Sequence, residues 1–209
     1  TLGTPHLGSL SALRPLVSGL GTLENLLAGG EAVVRRVAFS LPSLYEMLPF
    51  YPNCCLSVSD QGVATKISLL DAQSWRAFRW LPSGENTMER AAFRERALAR
   101  ARDLREIYKS GIPAETAFFP IAGALMSTPE TVRFSTSGDF LGWKQGTGDG
   151  TVFVHSADSQ LPNQVRVAIR KHSTIFEDQH VKVQLANLLT VVAAPEPFSD
   201  TSLTNERVI

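Results

Sequence analysis

The sequence predicts an α/β protein in which part of a mostly parallel sheet carries a large, mainly helical insertion. Three observations predict it. Residues 117–125 form a nearly continuous apolar run, as strands covered on both faces do. Residues 164–170 alternate Val165, Val167 and Ile169 with Arg166 and Arg170, a strand period. Residues 10–110 instead read mainly as helix, and a further helix closes the chain. Strands separated by helices imply a sheet with helices packed on it. The strands are too few for a complete doubly wound sheet.

Residues 1–9 read as the end of a strand entering a turn, where Gly3, Pro5 and Gly8 supply the backbone freedom and restriction a sharp turn needs. After it Leu13, Leu16, Val17 and Leu20 share a helical face, Gly21 ends that helix, and Thr22 can cap the next turn. Gly29-Gly30 interrupts, and residues 31–39 restart a helix. Residues 40–49 form a short helical turn bracketed by Pro42 and Pro49, followed by an extended Phe50-Tyr51-Pro52. Residues 53–85 are irregular apart from a short hairpin around 56–70, and Trp75, Phe78 and Trp80 lie close together there.

The clearest helix spans 87–110. Asn86 is its expected cap, with Glu89 completing a capping-box pair. Ala97, Ala101, Leu104 and Tyr108 form its apolar face, its charges read as a solvated face, and Gly111 and Pro113 stop it. Beyond the run at 117–125 come a short strand at 131–135, the strand at 164–170, and a final helix from Asp178 with Val181, Leu185, Leu188 and Val192 on one side. The resulting division is a core of residues 1–9 and 111–194, an insertion of residues 10–110, and a loose tail of residues 195–209.

Composition narrows the class. A chain 44% hydrophobic and 19% charged has the balance of a soluble globular protein. Its 20 basic and 20 acidic residues cancel, so no global charge draws it to nucleic acid. The longest apolar run, residues 188–194, falls far short of the ~20 residues that span a bilayer, so no transmembrane segment is expected. No basic segment followed by an apolar stretch opens the sequence, so no signal peptide is visible in it. Cys54 and Cys55 are adjacent, which suits two buried thiols better than a disulfide framework.

Two motifs carry chemistry. Gly148-Asp149-Gly150-Thr151-Val152 places an acid in a Gly-flanked turn, and Lys171-His172-Ser173 places a histidine one strand later. Acid before histidine is the chain order of the last two members of a Ser-acid-His triad on an α/β sheet. Imidazole titrates near neutrality and suits a general base, while the acid fixes its tautomer. Asp139 and Asp158 are the alternative acids, and His155 is the alternative base. His6 sits in the opening turn near this site, and His180 falls on the final helix. The spacing of His155, His172 and His180 matches no zinc motif, and no cofactor is expected. No Gly-x-Ser-x-Gly occurs, so the nucleophile is missing from these 209 residues. An N-terminal threonine can itself be a nucleophile, which makes Thr1 a rival.

Taken together, Leu2-Gly-Thr-Pro-His-Leu-Gly-Ser9, Leu41-Pro-Ser-Leu-Tyr-Glu-Met-Leu-Pro-Phe-Tyr-Pro52, Gly148-Asp-Gly-Thr-Val152 and His172-Ser173 resemble the lecithin:cholesterol acyltransferase-like lipases of the α/β-hydrolase fold, over residues 1–189. The resemblance implies the C-terminal part of an α/β-hydrolase sheet with residues 10–110 as a helical cap. It also implies a lipase, esterase or acyltransferase acting on an acyl ester or phospholipid, with Asp149 as acid and His172 as base. The serine and oxyanion loop would come from a segment upstream of Thr1, in the same polypeptide or a second chain. His6, Tyr45, Trp75, Phe78 and Trp80 are the candidate substrate contacts, and the partners include a membrane surface at which such a substrate is met. The rival reading is a non-catalytic fragment or binding module that keeps the cap and half-sheet.

Overall fold

Two sheets organise the chain, and both are built from short strands. The computed structural model describes residues 1–78, 80–111, 113, 116, 118–158 and 166–193. The larger sheet contains β1 (Cys55–Val58), β2 (Ala64–Lys66), β4 (Met126–Ser135) and β5 (Phe140–Gly148), in the order β2-β1-β4-β5. β1 runs antiparallel to β2 and parallel to β4, while β4 and β5 form an antiparallel pair. The smaller sheet pairs β3 (Ile121–Gly123) with β6 (Arg166–Ala168) in parallel, and Leu2 bridges to Ile121 on the same sheet. The chain is therefore α/β, but the single, mostly parallel sheet expected from the sequence is replaced by a mixed sheet and a small parallel one.

Several elements form where periodicity placed them. α1 (Leu10–Val17) buries Leu10, Leu13 and Leu16, and the Ser9 hydroxyl accepts from Ser11 N–H at its start. Burying each such leucine stabilises by about 1.5–3 kcal/mol. α1 ends at Val17, and Gly19 takes φ 68°, so Leu20 lies outside the helix and is exposed. α2 (Thr22–Leu27) starts on Gly21; Thr22 is its first helical residue and not its cap. α3 (Glu31–Ala38) and the Pro-led α4 (Pro42–Glu46) follow the sequence reading.

α6 (Met88–Lys109) corrects that reading in two ways. Its cap is Thr87, one residue beyond Asn86, with Oγ1 accepting from Arg90 N–H at 3.3 Å. Its inward face holds Ala97, Leu98 and Ala101 but also Arg94 and Arg105, so part of the supposedly solvated charge is buried. Leu104, expected inside, is partly exposed. The helix packs on α4, with an Arg100–Glu46 ion pair at 2.5 Å.

An aromatic core joins α5 (Ala72–Ala77) to the larger sheet. Trp75 packs edge-on against Phe39 and Trp80, and Trp80 lies 4.5 Å from Phe134 between ring centres. A second, smaller core of Ile121, Ala168, Ile175 and Val181 fills the space between the small sheet and the C-terminal helices. β5 was not expected as a strand, because Gly142, Gly146 and Gly148 break its alternation. β4 extends well before residue 131, with a register shift between Pro129 and Thr131 that accommodates the proline. Residues 126–148, assigned to the core in the sequence-based division, thus share one sheet with the 55–66 hairpin of the insertion.

After β5 come α7 (Val154–Asp158), β6, a 3-10 helix (His172–Glu177) and α8 (Gln179–Ala193). Val181 and Leu185 pack inward from α8 and Leu188 is half-buried, whereas the Val192 side chain and the tail from residue 195 lie outside the described residues. Asp178 caps α8. Its Oδ2 accepts from Ile169 N–H at 3.0 Å and its Oδ1 from His180 N–H at 2.8 Å.

Those backbone donors, Ile169 first, hold the Asp178 carboxyl below its usual pKa. The stabilisation is complete above the unfolded-state value of ~3.9 and is lost as pH falls through the lower folded-state value. In thermal melts, Asp178→Asn should lower Tm near neutrality, with the difference shrinking towards zero as the pH drops below about 4.

Among the described residues β6 pairs only with β3, so its other edge is open, and Leu23, Leu26 and Leu27 are each more than 60% exposed. Open edges and apolar patches drive association. The 209-residue chain produced by itself should elute as self-associated species in size-exclusion chromatography. A monodisperse monomer with a cooperative melt would contradict this.

Candidate functional site

The site forms where β5 ends. The strand's last residue is Gly148, and Asp149 follows in a tight turn. Its Oδ1 accepts from the N–H groups of Thr151 at 3.0 Å and Val152 at 2.7 Å. An aspartate bonding the backbone two and three residues on closes such a turn. The turn is fixed from below by Thr128, fully buried on β4, whose Oγ1 accepts from Gly150 N–H at 2.9 Å.

His172 opens the 3-10 helix after β6. Its backbone N–H donates to the Asp149 carbonyl at 2.9 Å, and its Nδ1 lies 2.8 Å from Asp149 Oδ2. Both Asp149 oxygens are thereby committed to donors. The carboxylate is 1% exposed and the histidine side chain 39% exposed. With Nδ1–H donating to the acid, Nε2 is the basic nitrogen, and among the described residues no atom bonds to it. The pair borders an open depression of about 500 Å³, whose other walls include Met126, Ser127, Thr151 and Lys171.

Two glycines make room for this pair. A Cβ on Gly3 would stand 2.8 Å from Asp149 Oδ2 and 3.2 Å from His172 Nδ1, and Gly3 has φ 54°. A Cβ on Gly123 would fall 2.3 Å from the Asp149 Cβ. The opening turn is held in place by Ser156, whose Oγ donates to the Gly8 carbonyl at 2.6 Å and accepts from Leu7 N–H at 3.1 Å. Ser9 and Ser11 both donate to the Thr151 carbonyl. Sequence reasoning missed Gly3, Gly123, Thr128 and Ser156 as supports, since none sits in a motif that carries chemistry; only the Gly-Thr-Pro turn hinted at the first.

The structure brings Asp149 and His172 together and places the other candidates elsewhere. Tyr45, Trp75 and Trp80 are buried in the aromatic core, and none lines the depression beside His172. The Tyr45 hydroxyl donates to the Phe39 carbonyl, Trp75 Nε1 to Leu69 and Trp80 Nε1 to Gly138. Burial also raises the Tyr45 pKa. Phe78 stacks on Trp80 at 5.1 Å. His6 packs between Tyr108 and Phe118, where burial lowers its pKa, and its Nε2 is 3.2 Å from Thr1 Oγ1. Asp139 ties the β4–β5 turn by accepting from the hydroxyls of Ser135 and Ser137. His155 lies on α7 near Phe153, and His180 is exposed on the first turn of α8. The Asp158 side chain lies outside the described residues. Cys54 and Cys55 are both buried and free, and burial pushes the Cys55 thiol well up.

Among the described residues no group of three or more His, Cys, Asp and Glu side chains is placed to hold a metal ion. No helix among them is long and apolar enough to cross a membrane. Compared with protein-family models and with curated proteins, the chain matches none.

Gly3→Ala should displace the acid–histidine pair, because the added methyl meets both partners at a φ that costs an alanine about 1–2 kcal/mol. The imidazole signals of His172 in NMR should shift and Tm should fall, while Gly62→Ala, with open space around the same kind of φ, should lower Tm without moving those signals.

Proposed function

We propose that this chain carries the acid and base of a serine-type acyl-ester hydrolase or acyltransferase, on the lecithin:cholesterol acyltransferase-like form of the α/β-hydrolase fold. The observation that supports it best is the 2.8 Å contact between a buried, fully hydrogen-bonded Asp149 and a half-exposed His172 whose second nitrogen is unengaged among the described residues. That is the arrangement a general base needs: one nitrogen oriented by a carboxylate, the other open to a reactant.

In this reading Nε2 of His172 removes the proton from a serine hydroxyl as the oxygen attacks the acyl carbonyl. Asp149 stabilises the resulting imidazolium without taking its proton. His172 then returns the proton to the departing alcohol, and an acyl-enzyme remains. Water or a second alcohol, deprotonated by the same nitrogen, releases the acyl group. The serine and the oxyanion donors come from a segment upstream of Thr1 or from a second chain, consistent with the missing Gly-x-Ser-x-Gly. Residues 10–110 act as the cap, and the aromatic cluster packs it onto the larger sheet. The substrate is an acyl ester or phospholipid, and the steps require no cofactor.

The complete polypeptide, or the complex that supplies the serine, should have an intact denatured mass above 22.8 kDa or show a second species. It should be labelled by a fluorophosphonate probe. His172→Ala should lower ester hydrolysis by about 10⁶-fold and Asp149→Asn by about 10⁴-fold, and the histidine variant should still fold but melt lower, because a buried carboxylate oxygen loses its donor. Wild-type hydrolysis by His172→Ala would overturn the proposal. A native protein of 22.8 kDa that takes no probe would leave the binding-module reading in its place.

A further inference from the structure

A second depression lies between the C-terminal half of α6 and residues 50 and 68–71, and its chemistry differs from that beside His172. Arg102, Arg105 and Lys109 fall at i, i+3 and i+7, so they share one helical face, and all three line a depression of about 520 Å³. Arg105 is only 7% exposed. Its Nη2 donates to the Leu48 carbonyl, its guanidinium carbon sits 4.3 Å from the centre of the Phe50 ring, and its Nε is buried without a partner. Among the described residues no carboxylate pairs with it; the nearby Glu46 is engaged by Arg100. Burial pulls the Arg105 pKa down to about 10. A buried cation with an incomplete set of acceptors is costly unless an anion completes it.

The two acids at this rim are already occupied. Asp71 caps α5, accepting from Gln73 N–H and the Ser74 hydroxyl, and Glu106 pairs with Lys109 at 2.7 Å in an exposed contact of small energetic weight. Arg102 donates through Nη1 to the Leu70 carbonyl. A second cleft of about 320 Å³ adjoins the depression, with Phe50, Ser68 and Leu70 bordering both. That cleft is lined mainly by apolar groups such as Pro49, Tyr51, Cys54, Ile67 and Leu69, with Asn53, Lys66 and Ser68 as its polar members, a lining of the kind that takes an aliphatic group. Neither cleft includes Asp149 or His172.

We propose that this pair of clefts binds a single-chain anionic amphiphile, its carboxylate or phosphate head at Arg102, Arg105 and Lys109 and its aliphatic chain along Ile67 and Leu69. The inference stands apart from the acyl-transfer reading, since it uses other residues and predicts binding without turnover. Calorimetry on the complete polypeptide, with octanoate and octyl phosphate as probes and octanol, acetate and inorganic phosphate as controls, tests it. Both anionic amphiphiles should bind with Kd below about 1 mM, and each control at least about tenfold more weakly. The tighter of the two identifies the head group. Arg102→Gln/Lys109→Gln alters only exposed side chains, so it should fold normally, and it should weaken octanoate about tenfold or more while flattening the salt dependence. Equal affinity in that variant, or octanol binding as tightly as octanoate, would overturn the proposal. So would the absence of octanoate binding to a folded wild-type protein.

Discussion

The geometry of the candidate site depends on one buried carboxylate. Asp149 has no contact with water to fall back on, so each of its oxygens must find a donor inside the protein. One oxygen closes its own turn through Thr151 and Val152, and the other reaches His172. Because the carbonyl of the same residue accepts from the His172 backbone, two bonds from one residue fix both the position of the 3-10 helix and the orientation of its first imidazole. Losing His172 leaves one oxygen of a buried carboxylate without its donor, and such a loss costs more than the bond itself contributed.

The elements that arrange themselves around this carboxylate come from distant parts of the sequence. Gly3 belongs to the opening turn, Gly123 to β3, Thr128 to β4 and His172 to the segment after β6. What they share is size or polarity suited to a crowded polar corner. Two glycines leave the volume that the acid and the ring occupy, and one threonine satisfies the backbone of the turn. The aromatic core between α5 and the larger sheet has the opposite character: its rings bury area, and its few polar atoms each donate to a main-chain carbonyl. Edge-on ring pairs of this kind add about 0.5–1.5 kcal/mol each beyond their area.

Much of this was legible in the sequence, for identifiable reasons. α3, α6 and α8 have enough length or amphipathic contrast to show a helical period, and the Asp149–His172 pairing follows from a Gly-Asp-Gly turn and the order of the motifs. What escaped was whatever periodicity does not encode. β5 carries three glycines and few apolar residues, so its strand character comes from pairing with β4. Arg94 and Arg105 look solvated by residue type, yet long side chains can bury their stems, and here each guanidinium donates through one nitrogen to a main-chain carbonyl. The tryptophans looked like ligand contacts because large apolar groups serve pockets and cores equally well. Glycines that support the site were invisible as functional residues, because their contribution is the absence of a side chain.

The parallel pairing of β1 with β4 has a mechanical consequence. The hairpin of residues 55–66 sits in the same ladder as β4, and β4 in turn carries β5 up to the Asp149 turn. A lid that swings away as one rigid piece would have to tear that ladder, and with it the register that holds the carboxylate under the histidine. α1 adds a second tie, because Ser9 and Ser11 at its start donate to the Thr151 carbonyl of the same turn. Any force on the hairpin is transmitted through hydrogen bonds to the acid, so the insertion behaves as a lever fixed to the site and only in part as a cover.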